Sequence, residues 1–236
     1  MLHATRALVL RTFKHKDHSL VLRAYTEDLG VRSLAVRSRD RRHRGLLGPL
    51  NRLQLVLDER PDRELASVKE ISLEEPFRRV GNEPLRMSVL LFMQEVLYRA
   101  LREESADVRL FHFIQLALEH MDSDEDLSHF PLQFLVHLSK HLGFFPEARY
   151  EGTGDRFDLR EGCFIGGFPE HSQVLDVETS RELTRLLRGR LGEVMTPPIV
   201  PRMRAHLLEQ LNVYFALHLS GLGQFRSVEV LKQVLA

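Results

Sequence analysis

Residues 20–37, Leu20-Val21-Leu22-Arg23-Ala24-Tyr25-Thr26-Glu27-Asp28-Leu29-Gly30-Val31-Arg32-Ser33-Leu34-Ala35-Val36-Arg37, decide the fold. Leu20, Leu22 and Ala24 fall on one face of an extended chain, and Val21, Arg23 and Tyr25 fall on the other. Thr26-Glu27-Asp28-Leu29-Gly30 then supplies a hairpin connection, and Val31 to Arg37 returns as a second strand. The same signal lies on both sides. Ala7 to Phe13 forms an earlier aliphatic, β-branched run. Leu53, Leu55 and Leu57 alternate with Arg52, Gln54 and Val56, and a run from about Glu64 to Leu73 follows a loop at Pro61-Asp62. Five strands in about seventy residues, with a long connection between the third and fourth, predict a five-stranded barrel of the oligonucleotide-binding type. An SH3-like barrel fits the same strand count.

After Glu74-Glu75-Pro76 the period changes to that of helices, which places a domain boundary near residue 80. Pro84 opens a helix whose positions Leu85, Val89, Phe92, Met93, Val96, Leu97 and Ala100 recur at spacings of three and four. Further helices are predicted from Asp107 to Met121, from Pro131 to Gly143, from a capping box at Thr179 and Glu182 to about Leu187, from Arg202 to Leu219, and from Ser227 to Leu235. Residues 144–178 have no helical period and read as an irregular insert, with a short hairpin near Phe157 and Phe164. The fold class is therefore α+β, with a barrel over 1–80 and a helical bundle over 81–236.

The 236 residues are 43% hydrophobic and 28% charged, which excludes a disordered chain. The single cysteine, Cys163, forms no internal disulfide. No basic segment followed by an apolar stretch and a cleavage site opens the chain, and no apolar run reaches the roughly 20 residues that cross a bilayer. A cytoplasmic protein without a membrane partner is expected. The formal net charge is zero, yet residues 1–80 carry 17 Lys and Arg against 11 Asp and Glu, whereas residues 81–236 carry 16 against 22. Such asymmetry points an N-terminal unit at an anionic partner. Two halves that merely attract each other would give the same counts.

The densest cationic segment is Arg37-Ser38-Arg39-Asp40-Arg41-Arg42-His43-Arg44, with five arginines in eight residues. Guanidinium forks match phosphate oxygens and follow a backbone without choosing a sequence. Arg11, Lys14, Lys16 and Arg32, with Arg6 and Arg23, extend the basic surface. Arg11, Lys14, Lys16, Arg32, Arg37, Arg39, Arg41, Arg42 and Arg44 are the candidate nucleic-acid contacts, and a solvated charged loop is the plainer reading of the last five. Phe13 and Tyr25 are the only Phe or Tyr rings before residue 76, and both fit a core, so backbone contact is favoured over base stacking.

Catalytic and metal motifs fail on their spacing. His137 and His141 lie one helical turn apart, but Leu138 stands where a helical zinc protease needs its glutamate. His15 and His18 flank Asp17 in a basic loop and suit solvent or phosphate. Asp122, Asp124 and Asp126 begin like a calcium loop, but Leu127 and Gln133 occupy the glycine and bidentate positions. Gly221-Leu222-Gly223 lacks a third glycine, no nucleophile-elbow serine appears, and Cys163 has no arranged base. No enzyme, metal or cofactor is expected. A nuclease would need carboxylates around the basic loop, where only Asp40 stands. A protein-interaction adaptor with a peptide-binding barrel remains open on these residues.

Three segments together are more specific. Thr5-Arg6-Ala7-Leu8-Val9-Leu10-Arg11-Thr12, Asp17-His18-Ser19-Leu20-Val21-Leu22 and Tyr25-Thr26-Glu27-Asp28-Leu29-Gly30 closely resemble the start of the bacterial recombination mediator family RecO. The Arg37 to Arg44 loop, Leu53-Gln54-Leu55 and His141-Leu142-Gly143-Phe144-Phe145-Pro146 fit the same family. The resemblance implies an oligonucleotide-binding barrel on a helical domain without catalytic activity. It implies binding of single- and double-stranded DNA, annealing of complementary strands, and work with RecR and the C-terminal tail of the single-stranded-DNA-binding protein to load RecA. It also implies a place in the cytoplasm with the nucleoid. Many family members carry a four-cysteine zinc module after the Leu-Gly-Phe-x-Pro segment. Here residues 147–176 keep Gly166-Gly167 but offer only Cys163 and His171, so zinc is not expected and packing by Phe157, Phe164, Ile165 and Phe168 must replace it.

Overall fold

The computed structural model describes residues 2–16, 19–37, 45–58, 65–102, 105–147, 155–167 and 170–234, the side chains of His15 and Lys16 excepted. Five strands, β1 (Leu2–Lys16), β2 (Ser19–Thr26), β3 (Gly30–Arg37), β4 (Arg52–Asp58) and β5 (Ala66–Glu75), form a ring in the order β1-β2-β3-β5-β4 that closes where β4 pairs back to β1. All the pairings are antiparallel except β3 with β5, which is parallel and spans only Leu34↔Ala66 and Ala35↔Ser67. This is the expected barrel of the oligonucleotide-binding type.

The alternation read from the sequence is the alternation of burial. Ala7, Val9, Leu22, Ala24, Leu34, Val36, Leu53, Leu55 and Leu57 fill the barrel. Thr26 closes the β2–β3 turn, its hydroxyl donating to the Gly30 carbonyl at 2.8 Å and accepting from the Leu29 N–H at 3.2 Å. Gly30 takes φ +69°, which an L side chain rarely adopts. The first strand is longer than the run Ala7 to Phe13. Leu2 to Leu8 pair with β4 and Ala7 to Lys16 pair with β2, so one strand serves two neighbours. A register shift between Val9 and Arg11 leaves Leu10 as an extra residue, the kind of bulge that turns a strand around a barrel.

Among the described residues six helices follow: α1 (Pro84–Ala100), α2 (Val108–Ser123), α3 (Phe130–His141), α4 (Val177–Arg188), α5 (Pro201–His218) and α6 (Ser227–Val234). The capping box expected at Thr179 and Glu182 is not what starts α4. Asp176 is the cap, accepting from the Thr179 N–H at 2.7 Å, and Glu182 pairs with Arg185 instead. An aspartate satisfies the free N–H groups of a first turn at least as well as a threonine, and the helix extends back to it.

Compactness divides the chain into two units. One joins Met1–Asn82 with Met93–Leu116, and the other joins Glu83–Phe92 with Ala117–Ala236. In the first, Tyr25 points out of the barrel and is buried, its ring 5.9 Å from Phe111 and its hydroxyl donating to the Asp107 carbonyl, while Gln94 donates to the Leu10 carbonyl. In the second, α3 is buried along most of its length, and Phe92 meets Phe134 and Phe225 edge-on. The expected hairpin is present as β6 (Arg156–Asp158) and β7 (Cys163–Ile165), with Phe157 opposite Phe164. Phe157 also packs on Tyr214, whose hydroxyl donates to the Phe144 carbonyl. Phe168, expected to join this packing, lies outside the described residues.

Candidate nucleic-acid interface

The bulge at Leu10 sets the site. Ala7 and Val9 face inward before it, and after it Arg11 and Phe13 face outward. Arg11 stands directly opposite Arg23 of β2, and Arg23 stands opposite Ser33 of β3. Like charges on opposed strand positions repel, so this pair needs an organiser. Tyr98 of α1 supplies one within the same compact unit. The Arg11 guanidinium lies 5.1 Å and that of Arg23 5.7 Å from its ring centre, and Arg11 lies 5.1 Å from the Phe13 ring as well. The negative face of an aromatic ring attracts a guanidinium at this range. Phe13 itself is 38% exposed, so it is not core as the sequence allowed. The result is an outward patch of two arginines and two rings.

The other candidates separate by register. Arg37 ends β3 opposite Ser19 and is exposed, and Lys14, opposite Leu20, is exposed at the end of β1. Lys16 lies opposite Ser19, its side chain outside the described set. Arg32 stands opposite Ala24, on the rung set that carries the core residues, and is half-buried, so it does not join Arg11. Arg39, Arg41, Arg42 and Arg44 lie outside the described residues. Beyond Ala35↔Ser67, where the β3–β5 ladder stops, a cleft of about 280 Å³ is lined by Ser19, Ala35, Val36, Arg37, Ser67, Val68, Lys69 and Ile71.

Arg6 belongs elsewhere. Its guanidinium donates to Glu27 at 2.7 and 2.5 Å, lies 3.6 Å from Glu74 and covers Phe111. The same hydrogen bonds hold the Glu27 carboxyl below its usual range. Arg6 thus serves an internal ion pair and not the basic surface. Tyr98 is the residue that sequence reasoning passes over, because in α1 it falls between the apolar positions and only the strand register shows what it touches. Among the described residues no group of three or more His, Cys, Asp or Glu side chains is placed to hold a metal ion, and His171 pairs with Asp158 at 3.1 Å. No helix among them is long and apolar enough to cross a membrane.

Comparison with known proteins bears on the whole chain. The family model for the N-terminal part of recombination protein O matches residues 1–77, and that for its C-terminal part matches residues 81–227. The chain belongs to the RecO family. Its relatives include the DNA repair protein RecO of Phocaeicola vulgatus, 32% identical over 239 residues that cover 99% of both chains. The DNA repair protein RecO of Bacteroides fragilis is 31% identical over 240 residues with the same coverage. That of Porphyromonas gingivalis is 27% identical over 240 residues, 98% of each chain. A RecO-like role in DNA repair and recombination follows, and the barrel and the helices correspond to the two family segments.

Proposed function

We propose that this RecO-family protein binds single- and double-stranded DNA through the outward face of β1, β2 and β3 and anneals complementary strands. With RecR, it loads RecA onto single strands coated by the single-stranded-DNA-binding protein, whose C-terminal tail it contacts. It works by binding, without catalysis, metal or cofactor, in the cytoplasm on the nucleoid. The observation that carries the DNA reading is the Arg11–Tyr98–Arg23 stack beside exposed Phe13, on the barrel face that receives oligonucleotides in this fold. Two guanidiniums gathered at one ring, that of Arg11 exposed and that of Arg23 half-buried, offer donors to a phosphate backbone. RecR, RecA and the single-stranded-DNA-binding protein are the partners that the family implies.

The test is a salt titration of the wild type and of a variant with Arg37, Arg39, Arg41, Arg42 and Arg44 replaced by alanine, on two unrelated oligonucleotides. Each lost contact to a single strand removes about 0.7 from the slope of log K against log salt, so three to five contacts remove roughly 2 to 3.5. Equal slopes in a folded variant overturn the role of the loop. Pull-down with RecR and with the acidic tail of the single-stranded-DNA-binding protein tests the partners.

A further inference from the structure

We propose that the cleft between β3 and β5 receives one unpaired nucleotide, base inside and phosphate at the rim, so that the barrel reads single-stranded DNA as well as binding its charge. This rests on the DNA-binding reading above. The β3–β5 ladder has only two residue pairs, and the cleft begins where it ends. Val36 is buried, and Val68 and Ile71 pack against the barrel core, which gives the cleft an apolar floor. A site for phosphate alone needs no such floor. Ser19 adds a hydroxyl that can turn as donor or acceptor toward a base edge.

The cations stand apart from the apolar wall in character. Arg37 is exposed at the end of β3. Lys69 is 44% exposed and 3.3 Å from Asp58, and an ammonium engaged once keeps two further donors. A volume of about 280 Å³ falls just short of the roughly 300 Å³ at which small-molecule pockets begin, and suits one base with its phosphate left at the rim. A base in a duplex reaches such a cleft only after extrusion from the stack, at a cost that an unpaired base does not incur. The cleft therefore favours single strands over duplex.

The full chain is titrated with a thymidine oligonucleotide and with an abasic one of equal length, which carry the same phosphates. Wild type binds the thymidine strand about tenfold tighter, the order expected for one buried base. Ala35→Phe fills the cleft and removes that preference, with a melting curve confirming the fold. Lys69→Ala weakens both strands by the same factor. A base preference that survives in folded Ala35→Phe overturns the proposal, as does Lys69→Ala binding like wild type. Without any variant, an oligonucleotide containing 2-aminopurine gains emission on binding as its base leaves the stack for an apolar site, and unchanged or falling emission also overturns the proposal. If wild type binds both strands equally, only the cleft assignment fails. If it binds neither these strands nor duplex, the DNA-binding reading fails with it.

Discussion

Tyr98→Leu separates the ordering of charge from charge itself. In the wild type one ring faces two guanidiniums, at 5.1 and 5.7 Å. A cation over a ring at a partly exposed site contributes about 0.5–1 kcal/mol, so the pair amounts to about 1–2 kcal/mol that leucine forfeits while keeping the apolar bulk. If that ordering serves DNA binding in full, affinity for a single strand falls about 5- to 30-fold. The salt slope should not move, because Arg11 and Arg23 both remain. Replacing Arg11 and Arg23 with alanine should instead reduce the slope by about 1.4, two contacts at about 0.7 each. Fluorescence anisotropy of a labelled strand across a salt series, with melting curves for fold, measures both quantities. The reasoning is refuted if Tyr98→Leu changes the slope as the arginine variant does, or if a folded Tyr98→Leu binds like wild type.

Three further outcomes are expected. Arg86 is 1% exposed, donates to the Met121 and Asp124 carbonyls at 2.5 and 2.6 Å and pairs with Glu83 at 2.6 Å. Arg86→Leu strips two carbonyls near the end of α2 of a charged donor and should cost about 3–5 kcal/mol in urea unfolding, and a loss under about 1 kcal/mol would contradict this. His129 accepts the Ile199 N–H at Nε2, with Ser128 at its other ring nitrogen. Burial, with Arg204 and Arg185 adding to it against Asp126, holds its pKa below the ordinary value. Protonation then favours the unfolded chain. The contribution of His129 is complete above about pH 6.5 and declines by about 1.4 kcal/mol per unit as pH falls from there toward its folded value. His129→Gln should flatten that slope in pH-dependent unfolding, and an unchanged slope would place the titration elsewhere. Chelator should leave melting and DNA affinity unaltered, whereas about one zinc per chain by metal analysis would require ligands among His137, His141, Cys163 and His171.

Legibility in the sequence followed burial. Strands β2 to β5 showed themselves because each puts one face into a common core, as Leu53, Leu55 and Leu57 do. Leu2 to Arg6 of β1 did not, since their strand identity comes from pairing with β4, and Leu2 is 66% exposed. The hairpin at Phe157 and Phe164 is legible as two aromatics in a segment without helical period, and its turn at Gly162 shows only in the structure. The cap at Asp176 was masked by an equally plausible Thr179. Cross-strand neighbours were out of reach altogether: periodicity tells which face a residue takes, but not which residue stands beside it.

Arg6 and Arg11 show what that difference decides. They are five residues apart on one strand, equal in any charge count, and the bulge at Leu10 leaves both on the outward face. Register gives Arg6 the carboxylates of Glu27 and Glu74, and gives Arg11 another arginine. The first cation is neutralised within the fold, and a polyanion gains little from it. The second stands opposite a like charge, with the rings of Phe13 and Tyr98 beside it in place of a carboxylate. On the proposed reading, a DNA phosphate at Arg11 and Arg23 supplies the countercharge that Arg6 already has from Glu27 and Glu74. If DNA binds as proposed, the excess positive charge of residues 1–80 is a poor measure of the interface, and the better one is which arginines the fold leaves facing another cation.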